Sequence, residues 1–287
     1  MPFTTLISAS ALAAHIDDPD WLVIDTRHAL ADPHAGRAAY TAGHLPGAVF
    51  LHLDDDLAGR KTGSNGRHPL PDRQAFAAVL GHLGLRPGTQ VITYDGGDGS
   101  MAAARLWWML RWIGHAAVAV LDGGVAAWIL RGGALTQEAA APRPPGQVAP
   151  RASLVGTVTS ADVLENLSTR RRLVIDARAA DRFRGDNETL DARAGHIPGA
   201  INRPFKDNLL PDGRFKSAER LHGEFTALLG DVPPSAFIAQ CGSGVTACHN
   251  LLALEVAGLP GAALYAGSWS EWSSDPARPV ATAADGP

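Results

Sequence analysis

Leu22-Val23-Ile24-Asp25-Thr26-Arg27 returns 151 residues later as Leu173-Val174-Ile175-Asp176-Ala177-Arg178. Three further blocks repeat in the same order. Gly43-His44-Leu45-Pro46-Gly47-Ala48 returns as Gly195-His196-Ile197-Pro198-Gly199-Ala200, and Val91-Ile92-Thr93-Tyr94-Asp95-Gly96 aligns with Phe237-Ile238-Ala239-Gln240-Cys241-Gly242. The segment from Gly123 to Trp128 answers the one from Gly267 to Trp272. Four blocks in one order at nearly constant spacing mark a tandem duplication. Between the copies, residues 137–150 are rich in Pro and Ala, show no apolar periodicity and read as an exposed linker. The expected division is therefore a first domain over 1–136, a linker over 137–152 and a second domain over 153–287.

Within each copy, short apolar runs such as Trp21 to Asp25 and Gln90 to Tyr94 alternate with helical patterns such as Gln74 to Leu80. Continuous apolar strands between helices predict an α/β fold, a mostly parallel sheet with helices on both faces. The composition agrees with two ordinary globular domains: 287 residues, 46% apolar and 19% charged, with a mean hydropathy of -0.02. A net charge of -4 and a pI near 6.2 argue against a sequence-independent nucleic-acid binder. No run reaches the roughly 18 apolar residues of a membrane-spanning helix. The N-terminal apolar patch has no basic residue before it, so a mature cytoplasmic protein is expected.

In open parallel sheets the ligand site lies beyond the carboxyl ends of the strands. After the strand ending at Gln240 comes Cys241, then Gly242-Ser243-Gly244-Val245-Thr246, then an apolar helical run from Ala247 to Leu254. The first copy carries Asp95 where the second has Cys241. A thiol there faces loop N–H groups and the positive end of a helix dipole, both of which favour an anion. Gly242 and Gly244 let the backbone curl around the sulfur, while Ser243 and Thr246 add hydroxyl donors. The same cradle suits a persulfide. Cys248 falls inside the following helix and reads as apolar filler. The two cysteines make neither a disulfide framework nor a zinc pattern.

The loop Cys241-Gly242-Ser243-Gly244-Val245-Thr246-Ala247, the two Gly-His-x-Pro-Gly-Ala blocks, Arg182-Phe183-Arg184-Gly185 and Gly267-Ser268-Trp269-Ser270-Glu271-Trp272 together resemble the tandem rhodanese-type sulfurtransferases, the mercaptopyruvate and thiosulfate group. The resemblance implies two rhodanese-like domains, each with a five-stranded sheet, of which the second is catalytic. It implies double displacement: Cys241 takes the outer sulfur of a donor as a persulfide and passes it to cyanide, a small thiol or a thioredoxin-like protein. No metal or organic cofactor is implied. The Gly-Ser loop points to 3-mercaptopyruvate as donor, since a dianion such as thiosulfate calls for fixed positive charge that Gly242 and Ser243 do not supply; thiosulfate:cyanide transfer is the alternative. By the same resemblance Arg182 binds the donor carboxylate, Arg193 is a candidate second arginine, and His68 pairs with Ser243. Ala58 stands where an Asp completing a Ser-His-Asp relay is expected, although Asp54, Asp55 and Asp56 are near in sequence.

Other residues read as structural. Seven arginines lie between Arg170 and Arg193, and the run Arg170-Arg171-Arg172 is taken as solvated surface. His44, His196, Asp25 and Asp176 occur in both copies, with or without the cysteine, which marks them as parts of the fold. A phosphatase on such a fold needs Cys-x5-Arg, but the residue six after Cys241 is Ala247. A non-turnover persulfide relay or sensor shares the chemistry and differs only in turnover.

Overall fold

The computed structural model of the chain describes residues 1–100 and 102–282. The first half contributes β1 (Leu6–Ile7), α1 (Ala9–Ala13), β2 (Trp21–Asp25), α2 (Ala35–Ala42), β3 (Val49–Phe50), α3 (Arg73–His82), β4 (Gln90–Tyr94), α4 (Ala103–Trp112), β5 (Val118–Leu121) and α5 (Gly124–Leu130). The second contributes β6 (Gly156–Val158), α6 (Ser160–Thr169), β7 (Leu173–Asp176), α7 (Ala180–Arg184), β8 (Ile201–Asn202), α8 (Ala218–Leu229), β9 (Phe237–Gln240), α9 (Thr246–Val256), β10 (Ala263–Tyr265) and α10 (Ser268–Trp272). One five-stranded sheet runs β1-β5-β4-β2-β3 and the other β6-β10-β9-β7-β8, every pairing being parallel. The two orders are identical once renumbered, as a duplication requires. Every residue of β2, β4, β5 and β9 is buried, so these strands are covered on both faces, which is why they read as unbroken apolar runs. Leu12, Trp21, Ile92, Tyr94 and Trp128 pack in the first core, and Val163, Val174, Ile238, Trp269 and Trp272 in the second.

The repeated polar residues close the ends of strands. Arg27 grips the buried Asp25 carboxylate at 2.6 Å and donates to the Gly43 carbonyl at 2.7 Å. Arg178 does the same with Asp176 at 2.7 Å and Gly195 at 2.8 Å. Each pair ties a strand end to its Gly-His-x-Pro-Gly turn. His44 stacks on Tyr40 with centroids 3.9 Å apart, and His196 on Phe183 at 3.8 Å. Each imidazole also bonds a carbonyl of its stacking partner at 2.8 Å. Asp25 and His44 in the first copy, like Asp176 and His196 in the second, are parts of the scaffold.

The two compact units are not contiguous in sequence: the first comprises 1–59, 71–154 and 209–215, the second 60–70, 155–208 and 216–287. Residues 60–70 join the second unit because Gly66, at φ +86°, approaches Gly267 so closely that a Cβ would sit 2.7 Å from its carbonyl oxygen. The Arg67 N–H then donates to Ser270 Oγ at 2.9 Å. Residues 209–215 join the first unit through the Phe215 N–H, which donates to Asp122 Oδ1 at 2.9 Å. Residues 137–152 hold no helix or strand, and Arg143 donates to the carbonyls of Pro19 and Trp21, which lays this segment along the first unit. Among the described residues no helix is long and apolar enough to cross a membrane.

Candidate active site

β9 ends at Gln240, and the chain turns through Cys241 to Val245 before α9 begins at Thr246. The turn is shaped from behind by the start of α10. Trp269 N–H donates to the Cys241 carbonyl and Ser270 N–H to the Gly242 carbonyl, each at 2.9 Å. With the Cys241 and Gly242 carbonyls held by α10, the Gly244 N–H reaches Cys241 Sγ at 3.1 Å. Gly244 takes φ +76°, and a Cβ there would lie 2.3 Å from the Ala266 carbonyl oxygen. Only glycine fits that position. Cys241 N–H donates to Ser268 Oγ at 3.1 Å, and that hydroxyl donates on to the Tyr265 carbonyl at 2.9 Å. Cys241 is 2% exposed, so the sulfur sits in a dry, dipole-lined turn.

The first copy supplies an internal control. Its equivalent turn holds Asp95, whose Oδ1 accepts from Gly97 N–H at 3.2 Å and Gly99 N–H at 2.9 Å. A carboxylate oxygen occupies the place of the sulfur. Backbone N–H groups are thus directed at the side chain in both copies, an arrangement that favours an anion.

Of the residues named from sequence, the structure brings most to this turn. Ser243 is buried, with Oγ 2.8 Å from His68 Nδ1. Val245 is buried, and Thr246 opens α9 half-buried. Arg182, on α7, turns Nη1 toward the loop, 3.6 Å from where a Gly242 Cβ would lie, while Nη2 is held by Glu188 at 2.8 Å and Asp191 at 3.0 Å. Cys248 donates to the Gly244 carbonyl at 3.3 Å from within α9, and both cysteines are free thiols.

Arg193 is a correction. Its guanidinium donates to the carbonyls of Ser273, Asp275 and Arg278 at 2.7–3.1 Å, closing the chain end that follows α10. It is a structural clasp with its donors committed to the main chain. At the position of the expected relay acid Ala58 offers no carboxylate, while Asp56 accepts from the His52 N–H and Asp55 lies 3.3 Å from His52 Nδ1.

Sequence reasoning missed Arg67. Its Nη2 lies 3.0 Å from the Gly242 Cβ position, and its Nη1 donates to Asp191 Oδ1 at 2.6 Å. Arg67 directly precedes His68, but nothing local says that its guanidinium reaches a loop 175 residues away in the chain. Glu188 and Asp191 were missed too. Burial would raise the Glu188 carboxyl, but hydrogen bonds from Arg182 and Leu190 N–H and the charges of Arg182 and Arg178 outweigh it and hold it below the usual range. Burial raises Asp191 above that range, only partly opposed by Arg67. Two guanidiniums thus stand over the cysteine turn, braced from behind by two buried carboxylates.

The rhodanese-like domain model matches residues 8–131 and 159–275. A Pseudomonas aeruginosa protein named "Probable 3-mercaptopyruvate sulfurtransferase" is 49% identical over 98% of this chain and 99% of its own. Mouse thiosulfate sulfurtransferase is 37% identical over 94% of this chain and 92% of its own. Among solved structures, the 3-mercaptopyruvate sulfurtransferase SseA from Escherichia coli superposes with a TM-score of 0.79 at 36% identity, covering 94% of this chain and all of that one.

Proposed function

The chain belongs to the rhodanese-like family, as two tandem domains, and from that premise we propose that it is a sulfurtransferase working through a Cys241 persulfide with 3-mercaptopyruvate as donor. The observation that carries this reading is the Gly244 N–H held 3.1 Å from Cys241 Sγ in a turn whose twin seats a carboxylate. In the first half-reaction the Cys241 thiolate attacks the donor sulfur and forms the S–S bond. The donor C–S bond breaks and its electron pair passes to carbon as the enolate of pyruvate. The proton of the donor thiol goes to that carbon, leaving a persulfide anion on the loop. In the second, a thiol or cyanide takes the outer sulfur and returns Cys241 as thiolate. The turn's N–H groups can stabilise both anions without rearranging. Arg67 and Arg182 are suited to the donor carboxylate, and the hydrogen-bonded pair Ser243 and His68 to its carbonyl oxygen.

Thiosulfate is the second reading, and Arg67 favours it: the fixed positive charge absent from Gly242 and Ser243 is supplied from outside the loop. Glu188 and Asp191 offset much of that charge, which leaves a monocarboxylate the better match. The test is steady-state sulfur transfer to cyanide with the two donors in parallel, for wild type and Cys241→Ser. A larger kcat/KM with mercaptopyruvate and an inactive variant are expected. Higher efficiency with thiosulfate would replace the donor, one loading without turnover would make the protein a relay, and an active Cys241→Ser would overturn the persulfide mechanism.

A further inference from the structure

The carboxyl edge of the first sheet carries a second constellation, separate from the Asp95 turn. β2 and β3 pair in parallel with Asp25 opposite Phe50, so the residues just beyond them, His28 after β2 and His52 and Asp54 after β3, emerge side by side. One ligand atom from each of His28, His52 and Asp54 lies within 4.8 Å of the other two. His52 is buried, and its Nε2 is 2.8 Å from the Pro33 carbonyl oxygen. A carbonyl can only accept, so Nε2 carries a proton, and Nδ1, 3.3 Å from the Asp54 backbone N–H, is the ring nitrogen left for the cluster. Asp55 Oδ2 lies 3.3 Å from that same Nδ1. That separation is about the 3.3 Å edge of a tetrahedral site with bonds of about 2.0–2.1 Å.

The duplication shows that the fold does not need these residues. β3 corresponds to β8, and the positions equivalent to His28, His52 and Asp54 in the second copy are Ala179, Pro204 and Lys206. The same sheet edge forms there without a ligand and with a cationic residue in the carboxylate's place.

We propose that His28, His52 and Asp54 bind a divalent first-row transition metal, with Zn2+ the best match, clasping the loops that follow β2 and β3. Two imidazole nitrogens and one carboxylate oxygen suit Zn2+ and disfavour Mg2+ and Ca2+, which take oxygen ligands. The carbonyl behind His52 fixes the ring and its tautomer. The inference is independent of the sulfur donor and of Cys241, and it departs from the expectation that the chain binds no metal.

The test is titration of the chelator-stripped full chain with Zn2+ against a chromophoric competitor, with melting temperature read in parallel and Co2+ as the spectroscopic probe of ligand type. His28→Ala and Asp54→Lys install residues that the second copy already carries in the same setting, which guards against loss of fold. One equivalent of Zn2+, a rise in melting temperature on binding, a Co2+ spectrum without thiolate charge transfer, and a loss of at least about tenfold in affinity in each variant are expected. Sulfur transfer by both variants stays at the wild-type level. Equal affinity in wild type and variants, binding that disappears only with Cys241→Ser, or no shift with Zn2+ would each overturn the site.

Discussion

Gly242 lies under two guanidiniums, those of Arg67 and Arg182, whose nearest nitrogens are 3.0 and 3.6 Å from its Cβ position. A charge-assisted bond to a carboxylate contributes about 1.5–3 kcal/mol, and about 1.4 kcal/mol is a factor of ten. Arg67→Ala is therefore expected to raise KM for mercaptopyruvate by roughly tenfold to a hundredfold. The effect on kcat is smaller, because the cysteine turn is held by α10 and not by Arg67. Parallel steady-state kinetics with an uncharged sulfur donor make the check, since only a donor that carries negative charge should lose affinity. Of this site, Cys241, the loop glycines, Ser243, His68 and Arg182 were legible as sequence because each stands in a local motif. Arg67, Asp191 and Glu188 were not, because their role exists only where the chain returns on itself.

At the scale of elements, the turn between β9 and α9 depends on the junction of β10 with α10. Ser268 takes φ +53°, a conformation that costs a non-glycine residue about 1–3 kcal/mol. Its equivalent in the first copy is Gly124, at φ +54°. The second copy keeps a strained serine where glycine serves, and the Ser268 hydroxyl explains it, accepting from Cys241 N–H and donating to the Tyr265 carbonyl. Ser268→Gly relieves the strain and removes the hydroxyl together. Global stability is expected to stay within about 1 kcal/mol of wild type, since the lost hydrogen bonds offset the relieved strain. Sulfur transfer should fall several-fold as the Cys241 amide loses its anchor. Denaturant unfolding and single-turnover persulfide formation, measured on the same variant, separate the two effects. An unchanged loading rate would show that the hydroxyl serves folding alone.

Across the whole molecule, acid sensitivity follows from carboxylates held by arginine and lysine. Burial would raise Glu224, but hydrogen bonds from Arg203, Lys216 and Arg220 outweigh it and bring the carboxyl down to about 2. A carboxyl lowered by folding stabilises the native state when ionised, so that contribution is complete above the ordinary carboxyl value and is lost as pH falls toward about 2. Glu188 works in the same direction; Asp191, raised by burial, works in the opposite one. Melting temperature should therefore decline on acidification below the ordinary carboxyl range, and Glu224→Gln should flatten that decline. A variant with the slope of wild type would remove Glu224 from the account. The duplication, the parallel α/β class, the strands from Trp21 to Asp25 and Gln90 to Tyr94, and the cysteine turn are legible in the chain without its fold. Those features are written in local periodicity and in motifs a few residues long, and the physics that reads them is equally local. Tertiary structure alone decided that residues 60–70 belong with the second unit, that Arg67 stands over Gly242, that Arg193 holds a chain end, and that His28 meets His52 and Asp54. Parallel pairing and close backbone approach bring these groups together over long stretches of chain, and no local pattern encodes a distance between residues so far apart in sequence.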